Sequence, residues 1–103
     1  MSHTVRVGAG RIAVPAETYQ QYLADVTNVA LTEIDGMLHV LPLRGPVAGG
    51  RLVKQRNLRG DRIIEAADLL AAFGSGEFSP EREFEVRWVT EAAALRIQGL
   101  HRS

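Results

Sequence analysis

The sequence runs through one order of elements twice, and this limits the folds open to it more than any other feature. Residues of about 4–43 read as strand, turn, strand, short helix and a pair of strands, and residues of about 51–100 repeat that order. Individual positions fall into line as well. Arg11-Ile12 matches Arg62-Ile63, Ala16-Glu17 matches Ala67-Asp68, and Tyr22 matches Phe73. Further on, Val29, Leu38, Val40 and Leu43 match Val86, Leu95, Ile97 and Leu100. Between the two stretches lies Arg44-Gly45-Pro46-Val47-Ala48-Gly49-Gly50, the one linker-like segment. The second stretch needs a few more residues than the first, and they fall in a glycine and serine loop at 73–80, where insertion is cheap. A half of this kind leaves its own sheet edges unpaired, and two such halves remove the edges by interleaving into a barrel. The expected architecture is therefore α+β and strand-dominated. It is a single domain over 1–103: a small β-barrel from two pseudo-repeats of strand, strand, short helix and hairpin, joined by a linker at 44–50.

Local signals fill in this outline. Residues 4–7 alternate polar and apolar side chains, Gly8-Ala9-Gly10 is a turn, and residues 11–14 resume an extended pattern. Pro15 suits the first helical position, where its missing amide hydrogen costs nothing. A helix over 16–24 follows, with Ala16, Tyr19, Tyr22 and Leu23 on one face and Glu17 in its first turn. Asp35-Gly36 joins strands at 28–34 and 37–43 and asks for a type I′ turn, which needs positive φ at both central residues. Beyond the linker, residues 51–57 read as a strand, Arg59-Gly60-Asp61 as a tight turn, 62–64 as a strand and 65–72 as a helix. Residues 83–90 form a strand with Phe84, Val86 and Trp88 on one face. In residues 92–100 the alanines suit a helix, while Leu95, Ile97 and Leu100 suit a strand. Alignment with the first hairpin makes this segment the second arm of another.

Composition narrows the chemistry. The chain has no cysteine, which excludes disulfides and thiolate metal sites. Twelve basic residues balance twelve acidic ones, so no global field draws the protein to nucleic acid or to a membrane. No apolar run approaches the roughly 20 residues that span a bilayer, and the strand pattern begins too early to leave room for a signal peptide. The expected location is cytoplasmic, without a membrane partner. His3, His39 and His101 are the only histidines, too scattered to supply the three or four converging ligands a metal needs. Ser75 and Ser79 have no histidine beside them to activate a hydroxyl. Asp61, Glu65 and Asp68 are spaced to be solvated or to cap a short helix. Neither a catalytic residue nor a cofactor is expected. Trp88 reads as core, or more sharply as an interface anchor.

The densest basic run is Arg51, Lys54, Arg56, Arg59 and Arg62, opposed nearby only by Asp61. On an alternating strand Lys54 and Arg56 share a face, which suits phosphate or an acidic partner. It equally suits a solvated strand guarded by charge against edge pairing.

Gly10-Arg11-Ile12-Ala13-Val14-Pro15-Ala16-Glu17, followed by the hairpin of 29–43 with its Leu41-Pro42 pair, resembles the repeat of the AbrB and MraZ transcription-factor group. That resemblance covers residues 5–43 and implies a swapped-hairpin barrel that binds DNA as a homodimer. The family's basic helix positions are uncharged here, at Ala16 and at Thr18-Tyr19-Gln20. Phosphate contacts would then fall to Arg11, Arg51, Lys54, Arg56, Arg59 and Arg62, positioning the protein without reading bases. Asn57-Leu58-Arg59-Gly60-Asp61-Arg62-Ile63-Ile64 followed by Ala67-Asp68-Leu69 also resembles the glycine-aspartate turn of cradle-loop barrels and SAF-type domains, which bind small ligands or serve in assemblies. The reading is a non-catalytic binding module, transcription-regulator-like in its specific form. The alternatives are an accessory subunit that binds another protein and, more remotely, an enzyme whose site is shared between subunits.

Overall fold

The computed structural model describes residues 2–44, 49–74 and 81–102. Nine strands lie in one antiparallel sheet: β1 His3–Gly8, β2 Arg11–Val14, β3 Asn28–Ile34, β4 Met37–Leu43, β5 Arg51–Leu52, β6 Lys54–Gln55, β7 Arg62–Glu65, β8 Arg82–Val89 and β9 Ala94–His101. Two short helices accompany them, α1 Ala16–Tyr22 and α2 Ala67–Leu70, the second running into a 3-10 turn at Ala71–Phe73.

The strand order is β5-β3-β4-β9-β8-β1-β2-β7-β6. Its two ends are neighbours in the chain, because only Val53 separates β5 from β6. Arg51 and Leu52 pair with β3, whereas Lys54 and Gln55 pair with β7. The Val53 amide donates to the Thr27 carbonyl at 2.9 Å, so a single extended segment joins both margins of the sheet. The result is a nearly closed, strand-dominated barrel that leaves little edge for another chain to pair with. Four pairings cross the linker: β1 with β8, β2 with β7, β3 with β5 and β4 with β9.

Alternation along the strands fills the interior. Val5, Val7, Ile12, Val14, Leu38, Val40, Ile64, Leu95 and Ile97 are all buried within one cluster. Side chains of this size each contribute about 1.5–3 kcal/mol when removed from water. Helix α1 lies against the barrel through Tyr19 and Leu23. Thr18 pins it by donating its hydroxyl to the Thr4 carbonyl at 2.8 Å, and the Tyr19 hydroxyl donates to the Val26 carbonyl at 2.9 Å.

Boundaries depart from the sequence expectations in four places. Pro15 precedes α1 with φ −58° and ψ 151°, so it is the residue before the first helical position. The helix ends at Tyr22, where Leu23 leaves helical geometry at φ −127°; Asp25 at φ 65° then turns the chain, and Leu23 and Val26 are both buried. The 51–57 strand is divided in its pairing, since one extended segment serves two partners. The helix after β7 begins at Ala67, not at residue 65, because Glu65 stays in the ladder opposite Arg11 and the Ala66 amide donates to the Gly10 carbonyl at 2.9 Å. Asp35 and Gly36 have φ 53° and 82°, the conformation a type I′ turn requires. Residues 94–101 are a strand, the second arm of the β8–β9 hairpin. The glycine and serine loop lies mostly outside the described residues, as does the centre of the linker. No helix is long and apolar enough to cross a membrane among the described residues.

Candidate anion-binding cleft

The turn between β6 and β7 is built by two polar side chains. Asn57 Oδ1 accepts from the amides of Gly60 (3.1 Å) and Asp61 (3.2 Å), three and four residues on, and so closes the turn over its own backbone. Asn57 Nδ2 donates to Asp61 Oδ2 at 3.0 Å, and the Arg56 amide closes the loop by donating to the Asp61 carbonyl at 2.8 Å. Gly60 sits at φ 102°, a conformation in which a side chain would be strained.

Asp61 ties this turn to the other half of the chain. Its Oδ1 accepts the Ala16 amide at 2.8 Å, and its Oδ2 also receives Arg59 Nε at 3.2 Å. Asn57's side chain and then the Ala16 amide stabilise the carboxylate, holding its pKa below the usual aspartate value. Asp61 is therefore anionic and committed to the turn.

Beside the turn opens a cleft of about 490 Å³, lined by Arg6, Arg56, Arg59 and Arg62 together with Asn57, Asp61, Glu83 and residues 13–15. β1 supplies Arg6, β7 supplies Arg62, and the turn supplies Arg56 and Arg59. The four guanidinium groups differ in their commitments. Arg6 Nε stands 4.0 Å from Glu83, an exposed and weak pair. Arg59 Nη2 lies 3.1 Å from Asp61. Arg62 stacks on the Tyr19 ring, with its Cζ 4.3 Å from the ring centroid, which orients the fork by cation–π attraction. Neither Arg56 nor Arg62 has an ion-pair partner among the described residues. The cleft thus holds two uncommitted guanidinium groups, one aimed by an aromatic ring and one on an ordered turn. Such forks suit bidentate contact with phosphate or carboxylate.

The six residues singled out from sequence divide between this cleft and other places. Arg56, Arg59 and Arg62 come together here. Arg11 faces Glu65 across the β2–β7 ladder, with Nε 3.9 Å from Oε1. Arg51 makes a two-pronged pair with Asp68 at 2.9 and 2.8 Å and also donates to the Glu65 carbonyl at 3.2 Å. That pairing holds the Asp68 carboxyl down at about 2 and raises Arg51 above its ordinary value, the hydrogen bond from Arg51 being the main cause for Asp68. Lys54 is exposed on β6 and does not line the cleft. Arg6 and Asn57 were not singled out. Arg6 carries no spacing signal, because only the fold brings β1 alongside the second half of the chain. Asn57 and the Gly60-Asp61 pair are the turn-forming residue types that mark the turn's place in the sequence.

The three carboxylates at 61, 65 and 68 go separate ways, to the turn, to Arg11 and to Arg51. No group of acidic residues and histidines that could hold a metal occurs among the described residues. In comparisons with protein-family models, with curated proteins and with solved structures, nothing matches this chain.

Proposed function

We propose that the protein is a non-catalytic binding module whose arginine cleft takes the phosphates of a nucleic-acid backbone, in the manner of a transcription regulator. The observation that carries this is the convergence of Arg6, Arg56, Arg59 and Arg62 on one cleft, with Arg56 and Arg62 lacking carboxylate partners among the described residues. The resemblance of residues 5–43 to the AbrB and MraZ repeat supports the same reading. So does the pairing scheme. Exchanging β1 with the 51–55 segment, β2 with β7, β3 with β8 and β4 with β9 returns the same ring of neighbours. Two swapped copies of one unit account for that symmetry. With the chain neutral overall, affinity rests on the local cluster, and specificity would come from groups beyond these phosphate contacts.

The test is binding to short duplexes from about 20 to 200 mM salt. Each phosphate neutralised steepens the fall of log K with log salt by about 0.9. Arg56→Ala and Arg62→Ala should each reduce that slope by about 1 and weaken all sequences alike. Arg51→Ala, which breaks a pair outside the cleft, should leave the slope unchanged. Absent binding at low salt, or a slope indifferent to Arg56 and Arg62, overturns the proposal.

A second reading rests on a separate observation. Leu58 is 100% exposed at the tip of the Asn57–Asp61 turn, and Leu52 is 59% exposed on β5. An ordered turn that presents a leucine between two arginines suits an accessory subunit docking on an apolar pocket with an acidic rim. Leu58→Ser would abolish such docking and leave DNA affinity unchanged.

A further inference from the structure

A second cluster of arginines, on residues separate from the cleft, carries an inference of its own. β8 and β9 set Arg87 opposite Arg96, and β9 and β4 set Arg96 opposite His39. The three form one row across the barrel, on the face opposite the core-lining Leu38, Val40, Leu95 and Ile97. Directly opposed side chains on one face stand about 4.5–5.5 Å apart at Cβ, and like charges in that relation destabilise a sheet. The ion pairs of the described residues involve Arg6, Arg11, Arg51, Arg59 and Arg102, and neither Arg87 nor Arg96. Among the described residues no carboxylate stands within ion-pair distance of either arginine.

Arg96 is nonetheless held in place. Its Nε donates to His39 Nε2 at 3.4 Å, and His39 Nδ1 lies 2.9 Å from the Met37 carbonyl. A guanidinium only donates, so Nε2 accepts and Nδ1 carries the proton that bonds Met37. His39 is 1% exposed, so a neutral, buried imidazole anchors Arg96 and leaves its two Nη groups uncommitted among the described residues. Beside the pair lies a cleft of about 300 Å³ whose lining includes Arg87, Arg96, Thr90 and Glu91. We propose that this cleft binds a compact phosphate dianion, either inorganic phosphate or a small phosphate monoester, between Arg87 and Arg96. A dianion placed between two opposed cations removes their repulsion and satisfies both forks. Glu91 on the same cleft repels any polyanion that extends past the first phosphate, so the site favours small ligands over a nucleic-acid backbone.

The test titrates the intact protein with inorganic phosphate at constant ionic strength and reads the fluorescence of Trp88, the chain's single tryptophan, which also lines the cleft. A saturable change is expected. Arg87→Gln, an exposed substitution, should raise Kd by at least about tenfold. Glu91→Gln should lower Kd severalfold by removing a like charge, a gain that no purely structural role for the row produces. Arg62→Ala should leave Kd unchanged, which separates this site from the proposed DNA cleft. Glycerol phosphate should compete and a short duplex should not. A response that does not saturate, a Kd indifferent to Arg87→Gln, or displacement by duplex but not by glycerol phosphate overturns the proposal.

Discussion

Gly10→Ala tests whether the two halves of the barrel are locked together through their turns. Gly10 has φ 74°, and a Cβ built on it would stand 2.8 Å from the Ala67 Cβ and 3.2 Å from the Ala67 Cα. Ala67 begins α2 and has no flexible end to swing aside, so the helix or the turn must shift. Holding alanine at positive φ costs about 1–2 kcal/mol, against which its less flexible unfolded chain returns about 0.4–1 kcal/mol. Overpacking a fixed contact adds about 1–3 kcal/mol. The expected loss is about 2–4 kcal/mol, read as a lower midpoint in urea denaturation at unchanged slope. Gly36→Ala is the control: φ is 82° and a Cβ there would meet nothing within 4 Å, so only the conformational cost of about 1 kcal/mol applies. Adding Ala67→Gly to Gly10→Ala should recover the overpacking part, an interaction energy that a double-mutant cycle isolates. If Gly10→Ala destabilises no more than Gly36→Ala, the turn and the helix are not in contact and the interlocking described for the barrel is wrong.

The Arg51–Asp68 pair gives a pH dependence of definite sign. Asp68 is held at about 2 when folded and titrates near 3.8 when unfolded, so its contribution to stability is complete above the unfolded value and lost as pH falls from about 4 to 2. Arg51→Gln should remove that part of the acid dependence and return the Asp68 carboxyl to the ordinary aspartate range in an NMR titration. Tyr19→Phe removes the buried bond to the Val26 carbonyl while keeping the ring under Arg62, and should cost about 1 kcal/mol by urea denaturation. Retained salt-dependent DNA binding in that variant would show that the ring, not its hydroxyl, positions Arg62.

Much of the barrel was legible because short-range rules decide it. Asp35-Gly36 fixes a hairpin on its own, and the alternation at 4–7 and 11–14 sends inward side chains that the structure buries, while at 83–90 Val86 is buried and Phe84 and Trp88 pack half-buried against the core. Strand partners farther apart in sequence were less accessible. That one segment at 51–55 would pair with β3 through its first residues and with β7 through its last cannot be read from alternation, which describes faces and not neighbours. Ala9 at φ 51° and Ala93 at φ 49° show the same limit, since nothing in alanine announces a left-handed conformation. At the candidate cleft, sequence density picked out Arg56, Arg59 and Arg62. It also picked out Arg11 and Arg51, whose acidic partners Glu65 and Asp68 lie 54 and 17 residues away in the chain and meet them only through the β2–β7 ladder and the packing around it.

That ladder also explains why, of the two arginines at this seam, Arg62 reaches the cleft and Arg11 does not. Across β2 and β7, Arg11 stands opposite Glu65 and Arg62 stands opposite Val14. Arg11 and Arg62 align in the sequence repeat, but the ladder puts them on opposite faces: Ile12, Val14 and Ile64 belong to the core cluster, so Val14 and Arg62 share the inner face while Arg11 and Glu65 share the outer one. Glu65 engages Arg11, while Val14 offers no charge and leaves Arg62 to the Tyr19 ring and the open cleft. The turn before β7 adds Arg56 and Arg59, and β1 adds Arg6, to the cleft that Arg62 lines. A substitution at Val14 tests this account of the asymmetry. Val14→Glu would place a carboxylate opposite Arg62, and Val14→Gln would bring similar bulk without the charge. Both disturb a buried position, so the informative quantity is the difference between them. The glutamate variant should lose nucleic-acid affinity at low salt severalfold more than the glutamine variant, with the gap closing as salt rises. Equal losses in the two variants would mean that Arg62's freedom from a carboxylate is not what makes the cleft bind.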